Sequence, residues 1–123
     1  MKKPLFKVVK IIVKIYIKKL SRYFFDNNYK DERKCINDGT YKLFKKYFLR
    51  IDDNDDIFKE SDALKIICIA CFWIIYKFCI DDDDIQVEEL VSFSKIAKKF
   101  ILNQEMKIYR LVDYKIIQFL IDS

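Results

Sequence analysis

Residues 61–84 read SDALKIICIACFWIIYKFCIDDDD. From Leu64 to Ile80 only Lys65 and Lys77 interrupt the apolar run. A helix that is apolar on every side must be enclosed by other chain segments or by lipid. A membrane span needs about 20 apolar residues and tolerates charge poorly. This run sits at the short limit, carries two lysines and runs directly into four aspartates. It therefore predicts a buried, central helix. Ser61 is placed to cap it, with Asp62 favourable in the first turn. Ile67, Ala70, Cys71 and Ile74 are expected among its most buried residues.

The segments on either side supply the enclosure. The chain has 123 residues, 52% apolar and 35% charged, with one glycine, Gly39, and one proline, Pro4. That length suits a single domain, 1–123. Breakers this rare exclude a turn-rich β-sandwich or barrel and favour long helices. A first helix is expected over 4–25, and Lys3, just before it, with Lys7, Lys10, Lys14 and Lys18 forms one stripe. Leu5, Val9, Ile12, Tyr16 and Leu20 form an opposed apolar stripe expected to pack on the core. The polar stretch 26–38 reads as a loop, with room for a short helical turn. A second helix is expected over 40–51, where Phe44, Tyr47, Phe48 and Ile51 share a face. The acidic run 52–56 reads as a solvated loop, because a calcium loop needs a central glycine that is absent. After the central helix, a fourth is expected over 85–93 and a fifth over 95–112. The fifth should bury Ile101, Leu102, Met106, Tyr109 and Val112. Residues 116–121 are an apolar tail, helical or extended. The expectation is an all-α bundle of five helices around a central third.

Composition narrows the chemistry. The chain has no histidine, so Ser-His-Asp and Cys-His catalysis and histidine-containing zinc sites are excluded. Phosphate-cradling loops need several glycines. The expectation is a protein that is not an enzyme and carries no metal or cofactor. Of Cys35, Cys68, Cys71 and Cys79, the last three lie in the apolar run, where thiols act as small hydrophobes. Free thiols imply a reducing compartment, cytoplasm or nucleus. Charge is uneven: residues 1–50 hold 15 Lys/Arg against 4 Asp/Glu, and residues 51–123 hold 9 against 15. A solvated lysine-rich face is preferred over a specific nucleic-acid site, and contact with a membrane surface is not favoured.

Five helices with the third enclosed is the plan of the cyclin box, and particular residues extend the likeness. Residues 63–78 resemble the family's third helix, whose ending Ala-Ser-Lys-Phe/Tyr-Glu-Glu is matched in part by Lys77-Phe78. Val87-Glu88-Glu89-Leu90-Val91 resembles the fourth helix. Asn103 to Tyr114, with Glu105 followed by a hydrophobic stretch, resembles the fifth. The match covers about 60–118. Cys79-Ile80 stands where the family has Glu-Glu. The arginine motif of the family's substrate-docking patch is not recognisable in the first helix.

The resemblance implies a cyclin-like regulatory protein that binds a cyclin-dependent Ser/Thr kinase and takes no small-molecule substrate. It implies a partner face made by Lys77, Glu105, Phe78, Tyr109 and Tyr114, the lysine and glutamate bonding to the kinase. Small size and the lysine- and isoleucine-rich usage of an AT-rich coding sequence suit a viral or parasite mimic that modulates its host's cell cycle. Two alternatives come from other classes. One is a Bcl-2-like helical bundle that modulates cell death. The other is a peripheral membrane protein anchored by the basic amphipathic helix of 4–25.

Overall fold

The computed structural model describes residues 4–25, 30–80, 85–113 and 115–122. All regular structure among them is helical. The α-helices are α1 (Phe6–Phe25), α2 (Lys30–Arg50), α3 (Ala63–Cys79), α4 (Val87–Ser94), α5 (Lys98–Leu111) and α6 (Ile116–Asp122). One turn of 3-10 helix, Asp56–Lys59, separates α2 from α3.

The apolar run becomes the centre of the bundle. Helix α3 packs against α2, α5 and α1, and more lightly against α4. Residues 66–72 and 74–76 are all buried, and Ile67, Ala70, Cys71 and Ile74 are completely so. Phe24 and Phe25 at the end of α1 meet Phe72 at ring-centroid distances of 5.9 and 5.8 Å. Phe24 also meets Phe93 of α4 at 5.7 Å. These aromatic contacts carry three helices into one core, and such pairs add stability beyond the area they bury. No helix among the described residues is long and apolar enough to cross a membrane.

Several boundaries differ from the sequence expectation. Helix α2 begins ten residues earlier than expected, inside the stretch read as a loop (residues 26–29 of that stretch lie outside the described residues). Asp31 and Glu32 occupy its first turn, where carboxylates favour the positive end of the helix. Thr40 Oγ1 donates to the Ile36 carbonyl at 2.7 Å, a bond that removes the cost of burying its hydroxyl. Gly39 is buried within this helix and lies against Ile75 of α3. The stretch is polar because one face is wet, and the glycine permits a close helix crossing instead of ending the helix.

The acidic run 52–56 is built of caps. Asp52 Oδ1 accepts from Asn54 N at 2.8 Å, and Asp55 Oδ1 accepts from Ile57 N at 3.0 Å. Asp55 thereby starts the 3-10 turn that buries Ile57 and Phe58, and Phe58 packs edge-on against Phe48 at 6.0 Å. Asp62, not Ser61, occupies the cap position of α3, and it makes no side-chain cap bond.

Two faces are oriented differently from expectation. In α1, Val9, Val13, Ile17, Leu20 and Phe25 are buried, while Leu5 and Ile12 are exposed. In α5 the buried residues are Ile101, Gln104, Glu105 and Ile108, while Leu102 and Met106 are exposed. The tail 116–121 is helical. Among the described residues the bundle thus has five main helices and a sixth short one, and the side chain of Leu120 reaches the Gly39 crossing.

Candidate functional site

The last turn of α3 and the middle of α5 lie side by side, because the two helices pack on each other in the shared core. Lys77 and Glu105, 28 residues apart in sequence, meet there. Lys77 Nζ donates to Glu105 Oε2. The same ammonium lies 5.0 Å from the ring centroid of Trp73, one turn back on α3, and 5.9 Å from that of Tyr109 on α5. Cations held over aromatic faces gain electrostatic attraction from the ring quadrupole. Lys77 is therefore fixed by a carboxylate and two rings.

Glu105 is only 8% exposed. A buried carboxylate must be paired or lose its charge. Lys77 supplies the pairing cation, and the Tyr109 hydroxyl hydrogen-bonds to the same carboxylate. Burial pushes the Tyr109 phenol up to about 12, and the neighbouring Glu105 charge adds to the rise. The cluster is consequently self-satisfied. Glu105 is a positioning group for Lys77 and not an exposed anion.

The apolar part of the face is split. Phe78 is 42% exposed beside Lys77 and is free to meet a partner. Tyr109 is half-buried within the cluster. Tyr114 lies outside the described residues. Two further residues of these helices are not evident from the sequence pattern. Trp73 looks like one more apolar position of α3, yet its i, i+4 spacing to Lys77 places its ring beneath the ammonium. Leu102, expected in the core, is exposed. It lies seven residues before Tyr109 and so on the same side of α5.

The lower edge of α5 is fixed from elsewhere. Lys107 pairs with Asp55 of the capped acidic loop at 3.7 Å, and Lys98 pairs with Glu88 of α4 at 3.1 Å. The exposed Lys98–Glu88 pair sets orientation more than it adds stability, and the Lys107–Asp55 pair is partly buried. Cys68 and Cys71 are fully buried within α3, and burial raises both thiols far above the ordinary range. Among the described residues no group of three or more Cys, Asp or Glu is placed to hold a metal ion. No family model, curated protein or solved structure matches the chain.

Proposed function

We propose that the chain is a single-box, cyclin-like regulatory subunit that binds a cyclin-dependent Ser/Thr kinase. The observation that carries this reading is the meeting of Lys77, in the last turn of α3, with Glu105, midway along α5. The resemblance singles out those two residues, and they are 28 positions apart. An all-α bundle with α3 at its centre is consistent with the same reading. The cluster contains no nucleophile paired with a base, and its chemistry is recognition. Lys77 presents a fixed cation with Phe78 as an apolar neighbour, which gives a partner both charge complementarity and register. By binding one kinase conformation better than another, such a surface shifts the kinase population. The direction, activation or inhibition, depends on which conformation fits. The Bcl-2-like alternative would place a ligand groove along the central helix. The burial of residues 66–72 and 74–76 suits either bundle.

The test respects the burial of Glu105. Reversing its charge would set two cations together in a partly buried site and lower stability as well as binding. Phe78→Ser and Lys77→Arg are cleaner, because Phe78 is exposed and arginine keeps a cation beside the buried Glu105 while changing the geometry it presents. Pull-down of cyclin-dependent kinases with wild type and both variants, each checked by thermal melting, should show recovery by wild type. Phe78→Ser should weaken binding roughly tenfold or more, as for an aromatic anchor at an interface, with an unchanged melt. Absence of kinase recovery by wild type, or equal recovery by all three proteins, rejects the reading.

A further inference from the structure

The apolar side chains of α1 fall into two stripes, and only one is used by the core. Val9, Val13, Ile17 and Leu20 are buried. Val8, Ile11, Ile12 and Ile15, continued by Leu5 just ahead of the helix, are exposed, Leu5 to 77% and Ile11 to 63%. At about 100° per residue the second stripe lies on the outward side of α1. Lys7, Lys10, Lys14 and Lys18 run along one edge of it. Scattered exposed apolar residues are ordinary, but a contiguous stripe marks an interaction surface.

Charge identifies what covers it. Residues 4–25 contain six basic side chains and no acidic one. Beside the lysine edge, α1 and α2 bound a cleft of about 720 Å³, to which Lys34, Lys42 and Lys45 of α2 contribute, with Asp38 as its one acidic lining residue. None of these three lysines, nor Lys18, makes an ion pair with another described residue. A second copy of this surface would set lysines against lysines. A nucleic acid would engage the lysines and leave the isoleucines in water. An uncharged apolar groove would bury the isoleucines and leave the cations unmatched. An anionic bilayer satisfies both halves: headgroup phosphates meet the ammonium groups, and apolar side chains enter the headgroup–acyl boundary.

We propose that the outward face of α1, with the basic cleft beside it, is a docking surface for an anionic lipid bilayer. The helix lies in the membrane plane over a length of about 30 Å while its inner stripe stays in the core. Docking does not depend on kinase binding, and the two surfaces use different helices.

The test is flotation of the full chain with phosphatidylcholine vesicles, with and without phosphatidylserine, at physiological ionic strength. Wild type should float only with the anionic vesicles. Ile11→Ser/Ile15→Ser, which keeps every lysine, should bind about tenfold more weakly, because the inserted apolar area is lost. Its melting temperature should be unchanged; if it falls, Val8→Ser serves in its place. Lys10→Gln/Lys14→Gln should also weaken flotation. No flotation of wild type overturns the proposal. So does flotation unaffected by the serine changes, since that is adhesion by charge alone. Equal retention on duplex DNA by wild type and the serine variant, without vesicle binding, reassigns the face to nucleic acid.

Discussion

A β-carbon added to Gly39 would lie 3.1 Å from Cγ2 of Ile75. The chain's one glycine thus sits where α2 crosses the central helix, and Ile75 is itself fully buried. A neighbour packed on all sides has little room to yield.

Two effects therefore oppose each other in Gly39→Ala. Alanine gains helix propensity of about 1 kcal/mol, and overpacking costs roughly 1–3 kcal/mol. Because the buried Ile75 has little room to yield, the net expectation is a destabilisation of roughly 1 kcal/mol, with a larger loss for Gly39→Val. In an Ile75→Ala background the clash disappears and Gly39→Ala should become stabilising. Urea denaturation of the four proteins measures this coupling. A wild-type background in which alanine raises stability would show that the crossing is loose.

Tyr76 ties the end of the central helix to the start of α4. Its hydroxyl accepts a buried hydrogen bond from Ile85 N at 3.2 Å. Tyr76→Phe keeps the ring stacked with Phe25 and Phe72 but leaves that N–H without its partner. The expected cost is about 1–2 kcal/mol. Faster amide hydrogen exchange at Ile85 in the variant would locate it; unchanged exchange would mean that the bond contributes nothing.

Tyr109 makes stability depend on alkaline pH. Its phenol is raised from 10.0 to about 12 by burial and by Glu105. An acid raised in this way favours the folded state fully below its unfolded pKa. That advantage is lost as pH climbs through the folded value. Between pH 10 and 12 the wild type should therefore lose stability more steeply than Tyr109→Phe, which has no phenol to ionise. Denaturation midpoints at stepwise pH for both proteins test it, and parallel curves would remove Tyr109 from the account.

The four thiols should separate by rate. Cys35 is exposed, Cys79 half-buried, and Cys68 and Cys71 enclosed. Helices α2 and α3 meet with Gly39 opposite Ile75, and one turn back along α2 and one turn on along α3, Cys35 comes beside Cys79. Burial and then the proximity of Cys35 raise the Cys79 thiol. A polar thiol reagent should label Cys35 first and Cys79 slowly. Cys68 and Cys71 should react only on unfolding, since thiolate is the reactive form. Mass spectrometry of peptides over a time course resolves the order. Early labelling of Cys71 would mean that α3 opens in the native state.

The sequence by itself determined the helical class and the central place of α3, because an apolar run without breakers has no stable alternative to enclosure. Lys77 and Glu105 stand out as the pair that the resemblance to the cyclin box implies. Tertiary structure decided the rest. Periodicity marks apolar stripes but cannot say which of two stripes on α1 turns inward; that choice depends on the shapes of α2 and α3. The polar stretch before Thr40 became helix because packing against Ile75 outweighed its weak local preference. Leu102 and Met106 stayed in water while Gln104 and Glu105 went in. A carboxylate with a lysine and a tyrosine beside it can be buried, and those partners come from different turns of two helices. Neighbours distant in sequence fix these outcomes, so no reading of local pattern could supply them.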